Sequence, residues 1–135
     1  MKIGVIGVGY VGLVSGACFS DFGHKVFCVD KDDEKINKLN KGHVPIYEPG
    51  LDVLIERNVN AKRLFFDTKI EGVVNELDAI FIAVGTPARR GSGHADLESL
   101  FKVLSELKLL IRRDQTVVIK STVPVGTNAL ATNFL

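Results

Sequence analysis

Cysteine is scarce in this chain. Cys18 and Cys28 are the two present, they make no Cys-x-x-Cys spacing, and the three histidines are scattered. That excludes a disulfide framework and gives no metal-binding pattern, so the thiols read as reduced core residues of a cytosolic protein. Charge of one sign is also lacking. Lysine and arginine number 17 against 16 acidic residues, a net charge of +1, with no basic block along the chain. Neither nucleic acid nor an anionic membrane surface is indicated as a partner. No apolar run approaches the ~18 residues that a membrane-spanning helix needs. Lys2 and the apolar stretch ending Ser15-Gly16-Ala17-Cys18 have the outline of a secretory or lipoprotein signal. Glycine at positions 4, 7, 9 and 12 would break the helical apolar region of such a signal. Internal repeats and low-complexity segments are absent as well.

What remains is an ordinary globular composition, 46% hydrophobic and 24% charged, in 135 residues. That is one domain's length, enough for a buried core. Short apolar runs at 2–6, 24–29, 64–66, 78–84 and 116–120 read as strands. Between them, helices are expected at 10–22, 33–40 with Asp32 as N-cap, 51–57, 69–75, and from a cap at Asp96 to about residue 111. Residues 85–94 form a polar, glycine-rich loop, residues 121–127 a turn, and a further helix begins after it. Strands that are apolar throughout and alternate with helices imply a parallel sheet covered on both faces.

The glycines at the start carry chemistry. Gly7-x-Gly9-x-x-Gly12 follows the first strand and opens the first helix. In that setting Gly7 makes the tight turn, Gly9 admits a pyrophosphate close to the backbone, and Gly12 lets the helix pack against the strand. Gly16 lies one turn further on the same face and extends that packing. Asp30 ends the second strand, placed to accept hydrogen bonds from an adenosine ribose and to repel a 2′-phosphate, which favours NAD over NADP. Lys35 either reaches back to the ribose or phosphate edge or is a solvated helix lysine. Gly85-Thr86-Pro87 and Ser121-Thr122-Val123-Pro124 follow the fourth and fifth strands. They either line the cofactor path or are proline turns with capping threonines. The fold class expected is α/β, a doubly wound parallel sheet of the Rossmann type, with the first and fourth strands adjacent.

The segments GVGYVGLVSGACFSDFGHKVFCVDKD, PIYEPGLD, VGTPARRGSGHADLESL and KSTVPVGT, in that order, resemble the nucleotide-sugar dehydrogenases of the UDP-glucose/GDP-mannose dehydrogenase family, over all 135 residues. Pro45-Ile46-Tyr47-Glu48-Pro49-Gly50-Leu51 leans toward the UDP-glucose branch. Val53 departs from the acidic residue that relatives often carry there. The resemblance implies NAD contacts at Gly7, Gly9, Tyr10, Val11 and Gly12, at Asp30 and Lys35 on the adenosine side, and at Thr86 and Thr122 nearer the nicotinamide; Gly85, Pro87 and Ser121 are cofactor candidates by their place after the fourth and fifth strands. It implies an auxiliary catalytic role for Thr122 and no metal. It also implies a four-electron oxidation of UDP-glucose to UDP-glucuronate with two NAD, through a cysteine that belongs to a later substrate domain. Cys18 and Cys28 are not that nucleophile. A sixth strand, a central helix and the UDP-sugar-binding domain are expected beyond Leu135, with a homodimer as the full-length form. These residues are then the dinucleotide-binding domain, incomplete at its C-terminus, expected to bind NAD without turning over alone. The alternatives are a dehydrogenase for UDP-N-acetylmannosamine or GDP-mannose, or a non-catalytic NAD-binding regulatory module.

Overall fold

The computed structural model describes residues 1–89, 91 and 93–135; Arg90 and Ser92 of the expected polar loop lie outside the described residues. Five strands, β1 (Lys2–Ile6), β2 (Lys25–Val29), β3 (Leu64–Asp67), β4 (Ala79–Ile82) and β5 (Thr116–Ile119), form one sheet in the order β3-β2-β1-β4-β5. Every pairing is parallel, with Gly4 opposite Phe27 on one side and Ile80 on the other. The helices are α1 (Tyr10–Asp21), α2 (Asp33–Asn40), α3 (Leu51–Asn60), α4 (Glu98–Lys108) and α5 (Thr127–Phe134).

Side chains alternate across the strands, and both sets are apolar because both faces are covered. Ile3, Val5, Val26, Cys28, Leu64 and Phe66 pack with Leu13 and Ala17 of α1, Ile36 and Leu39 of α2, and Leu51 and Ile55 of α3. The opposite set, with Val29, Ile80 and Ile82, packs under Leu100, Leu104 and Leu107 of α4 and Ala131 of α5. This two-sided burial is why the strands read as continuous apolar runs.

Three expectations are corrected. Residues 69–75 are not a helix. Asp67 Oδ1 accepts the N–H groups of Thr68 and Lys69 at 2.6 and 3.2 Å, which turns the chain, and only a single 3-10 turn, Val74–Glu76, follows. Asp96 is not the N-cap of α4. That position is Leu97, and Asp96 Oδ1 instead accepts the Glu98 N–H at 3.0 Å, one residue further in. Finally, α4 stops at Lys108 rather than near 111, because Leu110 and Ile111 bury themselves as a turn, both N–H groups bonding to the Leu107 carbonyl at 2.8 Å. The remaining elements stand within three residues of their expected bounds.

Candidate functional site

β1 ends at Ile6 and α1 starts at Tyr10, so the chain reverses within residues 7–9. Gly7 has φ +95°, where a side chain is strained, and a Cβ there would lie 2.7 Å from the Ala83 carbonyl oxygen. A Cβ at Gly12 would lie 1.8 Å from the Gly7 carbonyl oxygen, so the first turn of α1 rests on the glycine turn itself. Gly16, one turn further on, extends this close approach to the sheet, since a Cβ there would meet Cys28 Sγ of β2 at 2.4 Å. Gly9 differs from all three. It is exposed, its φ of −81° suits any residue, and a Cβ there meets nothing within 4 Å among the described residues. The packing of the described residues gives no reason for glycine at 9, and Gly9 lines the cleft described below.

Gly9 is also the N-cap of α1, without a side-chain cap among the described residues, and its carbonyl accepts the Leu13 N–H at 2.9 Å. The N–H groups of Tyr10, Val11 and Gly12 therefore have no acceptor within the helix. Together with the helix dipole they make a setting suited to an anion.

Asp30, just past β2, joins this turn to α2. Its Oδ2 accepts the Val8 N–H at 2.8 Å and the Lys35 ammonium at 3.2 Å, and its Oδ1 accepts the Asp32 N–H at 3.1 Å. Burial pushes the Asp30 carboxyl up, but the hydrogen bonds from Val8, Asp32 and Lys35 outweigh it and hold the group below the ordinary carboxylate range. Oδ2 is thus fully engaged, and Oδ1 keeps one lone pair for a ribose hydroxyl. Asp32, capping α2, accepts the Lys35 N–H at 3.0 Å and so fixes where Lys35 leaves the helix.

On the other flank, β4 and β5 release neighbouring loops. The Thr86 hydroxyl donates to the Thr122 carbonyl at 2.6 Å, and the Ser121 hydroxyl donates to the Val84 carbonyl at 2.7 Å. Both hydroxyl protons are engaged within the protein, which stitches the two loops together. Tyr10 turns its phenol away to Glu48, in the loop before α3, and this hydrogen bond is the main cause that raises the phenol's pKa.

A cleft of about 420 Å³ connects these parts. It brings together Gly7, Gly9, Asp30, Lys35 and Gly85, with α4 as its far wall. The other candidates stand around it. Gly12 is buried behind the turn, Tyr10 and Val11 are exposed on the first turn of α1, Pro87 and Thr122 are exposed, and Thr86 and Ser121 are half-buried; none of these seven lines the cleft. Three contributors escaped the sequence reading: the Val8 N–H, Val84, and Glu48. Only Glu48 carried a signal, as a carboxylate inside Tyr47-Glu48-Pro49-Gly50. Among the described residues, no three His, Cys, Asp or Glu side chains gather where they could hold a metal, and no helix is long and apolar enough to cross a membrane.

A parallel sheet with a glycine turn, an uncapped helix N-terminus and an acidic residue ending the next strand defines a dinucleotide-binding domain. The sequence profile described as the UDP-glucose/GDP-mannose dehydrogenase family, NAD binding domain, matches residues 1–135, and the chain belongs to that family. Its cofactor is NAD. Among relatives, a UDP-glucose 6-dehydrogenase of Rhizobium meliloti (strain 1021) is 56% identical over 127 residues, 94% of this chain and 29% of the relative. One of Bacillus subtilis (strain 168) is 47% identical over 135 residues, 100% of this chain and 30% of the relative. A ternary complex of GDP-mannose dehydrogenase from Pseudomonas aeruginosa superposes with a TM-score of 0.90 at 37% identity, over 99% of this chain and 32% of that one. The chain thus spans less than a third of the length of these relatives.

Proposed function

We propose that these residues form the NAD site of a UDP-glucose 6-dehydrogenase, whose full-length form oxidises UDP-glucose to UDP-glucuronate with two NAD. The observation that carries the cofactor part is Gly9, open to the cleft beside three N–H groups that have no acceptor within the helix. NAD, when bound, supplies the hydride acceptor. In this reading the Tyr10, Val11 and Gly12 N–H groups hold the pyrophosphate. Asp30 takes a ribose hydroxyl on its free lone pair, and Lys35 stands beside it. Gly85, Thr86, Pro87, Ser121 and Thr122 border the nicotinamide side, with Thr122 in an auxiliary catalytic role. The preference for UDP-glucose rests on the named relatives and on the segment Pro45 to Leu51. The substrate domain, the nucleophilic cysteine and a homodimer contact belong to the remainder of the full-length protein, which acts in the cytoplasm. A second reading has support in the solved structures. A GDP-mannose dehydrogenase and a UDP-D-ManNAc dehydrogenase from Pyrococcus horikoshii both superpose with TM-scores of 0.90, so another nucleotide sugar is the alternative substrate.

Calorimetric titration of this chain with NAD and with NADP tests the cofactor site. NAD binding well above NADP is expected, with no NADH formed on adding UDP-glucose. NADH formation by this chain alone would overturn the assignment of chemistry to the missing part. Turnover of the full-length protein on UDP-glucose, UDP-N-acetylmannosamine and GDP-mannose decides the substrate.

A further inference from the structure

A second cavity, a groove of about 320 Å³, lies along the free edge of β3. Leu39 of α2 and Val59 of α3 line it on one face of the sheet, Phe27 of β2 and Phe65 of β3 on the other. The crossover from β3 to β4 carries no helix to cover this corner, only the 3-10 turn Val74–Glu76. Phe27 and Phe65 are therefore half-buried, and they stack with ring centroids 5.1 Å apart and planes at 18°. The stack gives the groove a flat apolar wall. Three polar side chains also line it: Asn40, Asp67 and Lys69. Each keeps an unused group among the described residues. The Asn40 amide nitrogen donates to the Phe66 carbonyl at 3.4 Å, which leaves the amide oxygen without a donor. Asp67 Oδ1 accepts the Thr68 and Lys69 N–H groups at 2.6 and 3.2 Å, and Oδ2 accepts nothing. The Lys69 ammonium makes no ion pair.

We propose that this groove is a binding site for an α-amino acid with a large apolar side chain, of the phenylalanine class. Such a ligand has a carboxylate for Lys69, an ammonium for Asp67 Oδ2 and the Asn40 oxygen, and an apolar body for the wall of Phe27 and Phe65. A neutral apolar molecule leaves both charges unused. A plain anion meets Asp67 with the wrong sign, and a plain cation meets Lys69 so. Asp67 and Lys69 are carried on one turn, which Asp67 fixes through its own bonds to the backbone, so the two opposite charges stand on the same rim. Groove and dinucleotide cleft share Val29 and Lys69 as lining, and the Asp67 carbonyl accepts the Asp30 N–H at 3.2 Å. The groove thus backs onto the wall that carries Asp30. It is a separate cavity all the same, and the inference does not depend on what the cleft holds.

The test is an NMR titration of the chain with L-phenylalanine, phenylpropionate and phenethylamine, followed at the backbone amides. L-Phenylalanine is expected to bind with a dissociation constant of about 1 mM or below, shifting the amides of Leu64 to Lys69. Phenylpropionate, which lacks the ammonium, and phenethylamine, which lacks the carboxylate, are each expected to bind about threefold or more weakly, the size of one exposed ion pair. Lys69→Met is expected to weaken L-phenylalanine and phenylpropionate but not phenethylamine. Asp67→Asn, which keeps an oxygen for the two N–H groups, is expected to weaken L-phenylalanine and phenethylamine but not phenylpropionate. No binding of L-phenylalanine at about ten times that concentration overturns the proposal. Equal binding of the three probes by the wild-type chain also overturns it, whether or not the variants fold, since that reports apolar contact alone. Repeating the titration with NAD saturating separates the two cavities. Binding that persists supports the groove, and binding that NAD abolishes overturns it by placing the ligand in the cleft. L-Phenylalanine bound by this chain but not by the full-length protein overturns it as well, since a later segment then fills the groove. Should the chain bind L-phenylalanine but not NAD, the reading of the cleft fails and the groove stands.

Discussion

Gly9 and Gly12 are the same residue type three positions apart, and the structure gives them opposite duties. A Cβ at 12 collides with backbone, 1.8 Å from the Gly7 carbonyl, whereas a Cβ at 9 meets open cleft. Gly12→Ala is therefore expected to destabilise the chain by about 1–3 kcal/mol or more, as overpacking against an element that cannot move aside does. Gly9→Ala is expected to leave stability within about 1 kcal/mol and to weaken NAD binding by about tenfold or more, since each tenfold is about 1.4 kcal/mol. Urea titrations and calorimetry on the two variants separate these effects. Loss of stability at Gly9→Ala would show that position 9 is structural. Cys28 makes a second contrast. Burial pushes its thiol up to about 12, which keeps it protonated and unreactive at pH 8. Labelling of the native chain with a disulfide reagent at pH 8 should proceed at half-buried Cys18 and leave Cys28 unmodified until the chain unfolds. Rapid labelling of Cys28 in the folded chain would contradict its place under α1.

Elements meet at Asp30. It receives N–H groups from the glycine turn and from the start of α2, so one carboxylate orients two of the site's parts. Its pKa is lowered in the folded state, so the folded chain binds fewer protons than the unfolded one as pH falls. Its contribution to stability is whole above the unfolded carboxyl pKa of about 3.9, and is lost as pH drops through the lower folded value. The stability gap between wild type and Asp30→Asn should be constant from pH 6 to 8, taken as roughly neutral, and close below about pH 4. A gap that widens in acid would mean the carboxyl is not held charged by these partners. The elements were legible in the sequence where packing and local signals agree. Asp32 capping α2 and Gly7 at positive φ were both visible in this way. They were not legible where a local signal is reused. In place of the helix expected at 69–75, Asp67 turns the chain at Thr68 and Lys69, and the crossover to β4 is completed by one 3-10 turn. Leu110 and Ile111 continue the apolar spacing of α4 because they fill the second core, although the helix has ended. In the candidate site, Gly7, Asp30 and Gly85 could be placed from the ends of strands. The Val8 bond to Asp30 and the Tyr10 bond to Glu48 could not, since each joins segments whose approach only the fold determines.

The sheet order decides whether the whole domain can hold its cofactor without the rest of a longer protein. β1 is central, and its neighbours β2 and β4 release Asp30 and Gly85, so the three strands that carry the cleft are paired on both sides. The edges are β3 and β5, and the parts of the site that depend on an edge strand are the residues past β3, such as Thr68 and Lys69, and the segment with Ser121 and Thr122. The adenosine and pyrophosphate parts of the site should thus be assembled in these 135 residues. A ligand that binds the folded state alone stabilises it by about 2.7 kcal/mol at a hundred times its dissociation constant. For a domain of this size that corresponds to a rise in Tm of roughly 10 °C. NAD at that excess should produce such a rise, and NADP at equal concentration a smaller one. AMP should also raise Tm, by less than NAD, because it engages Asp30 but not the loops after β4 and β5. A rise with AMP equal to that with NAD would locate all the binding on the β2 side. No rise with either would mean that five strands do not assemble the crevice, and that the segments beyond β5 are part of the cofactor site and not merely of the catalytic one.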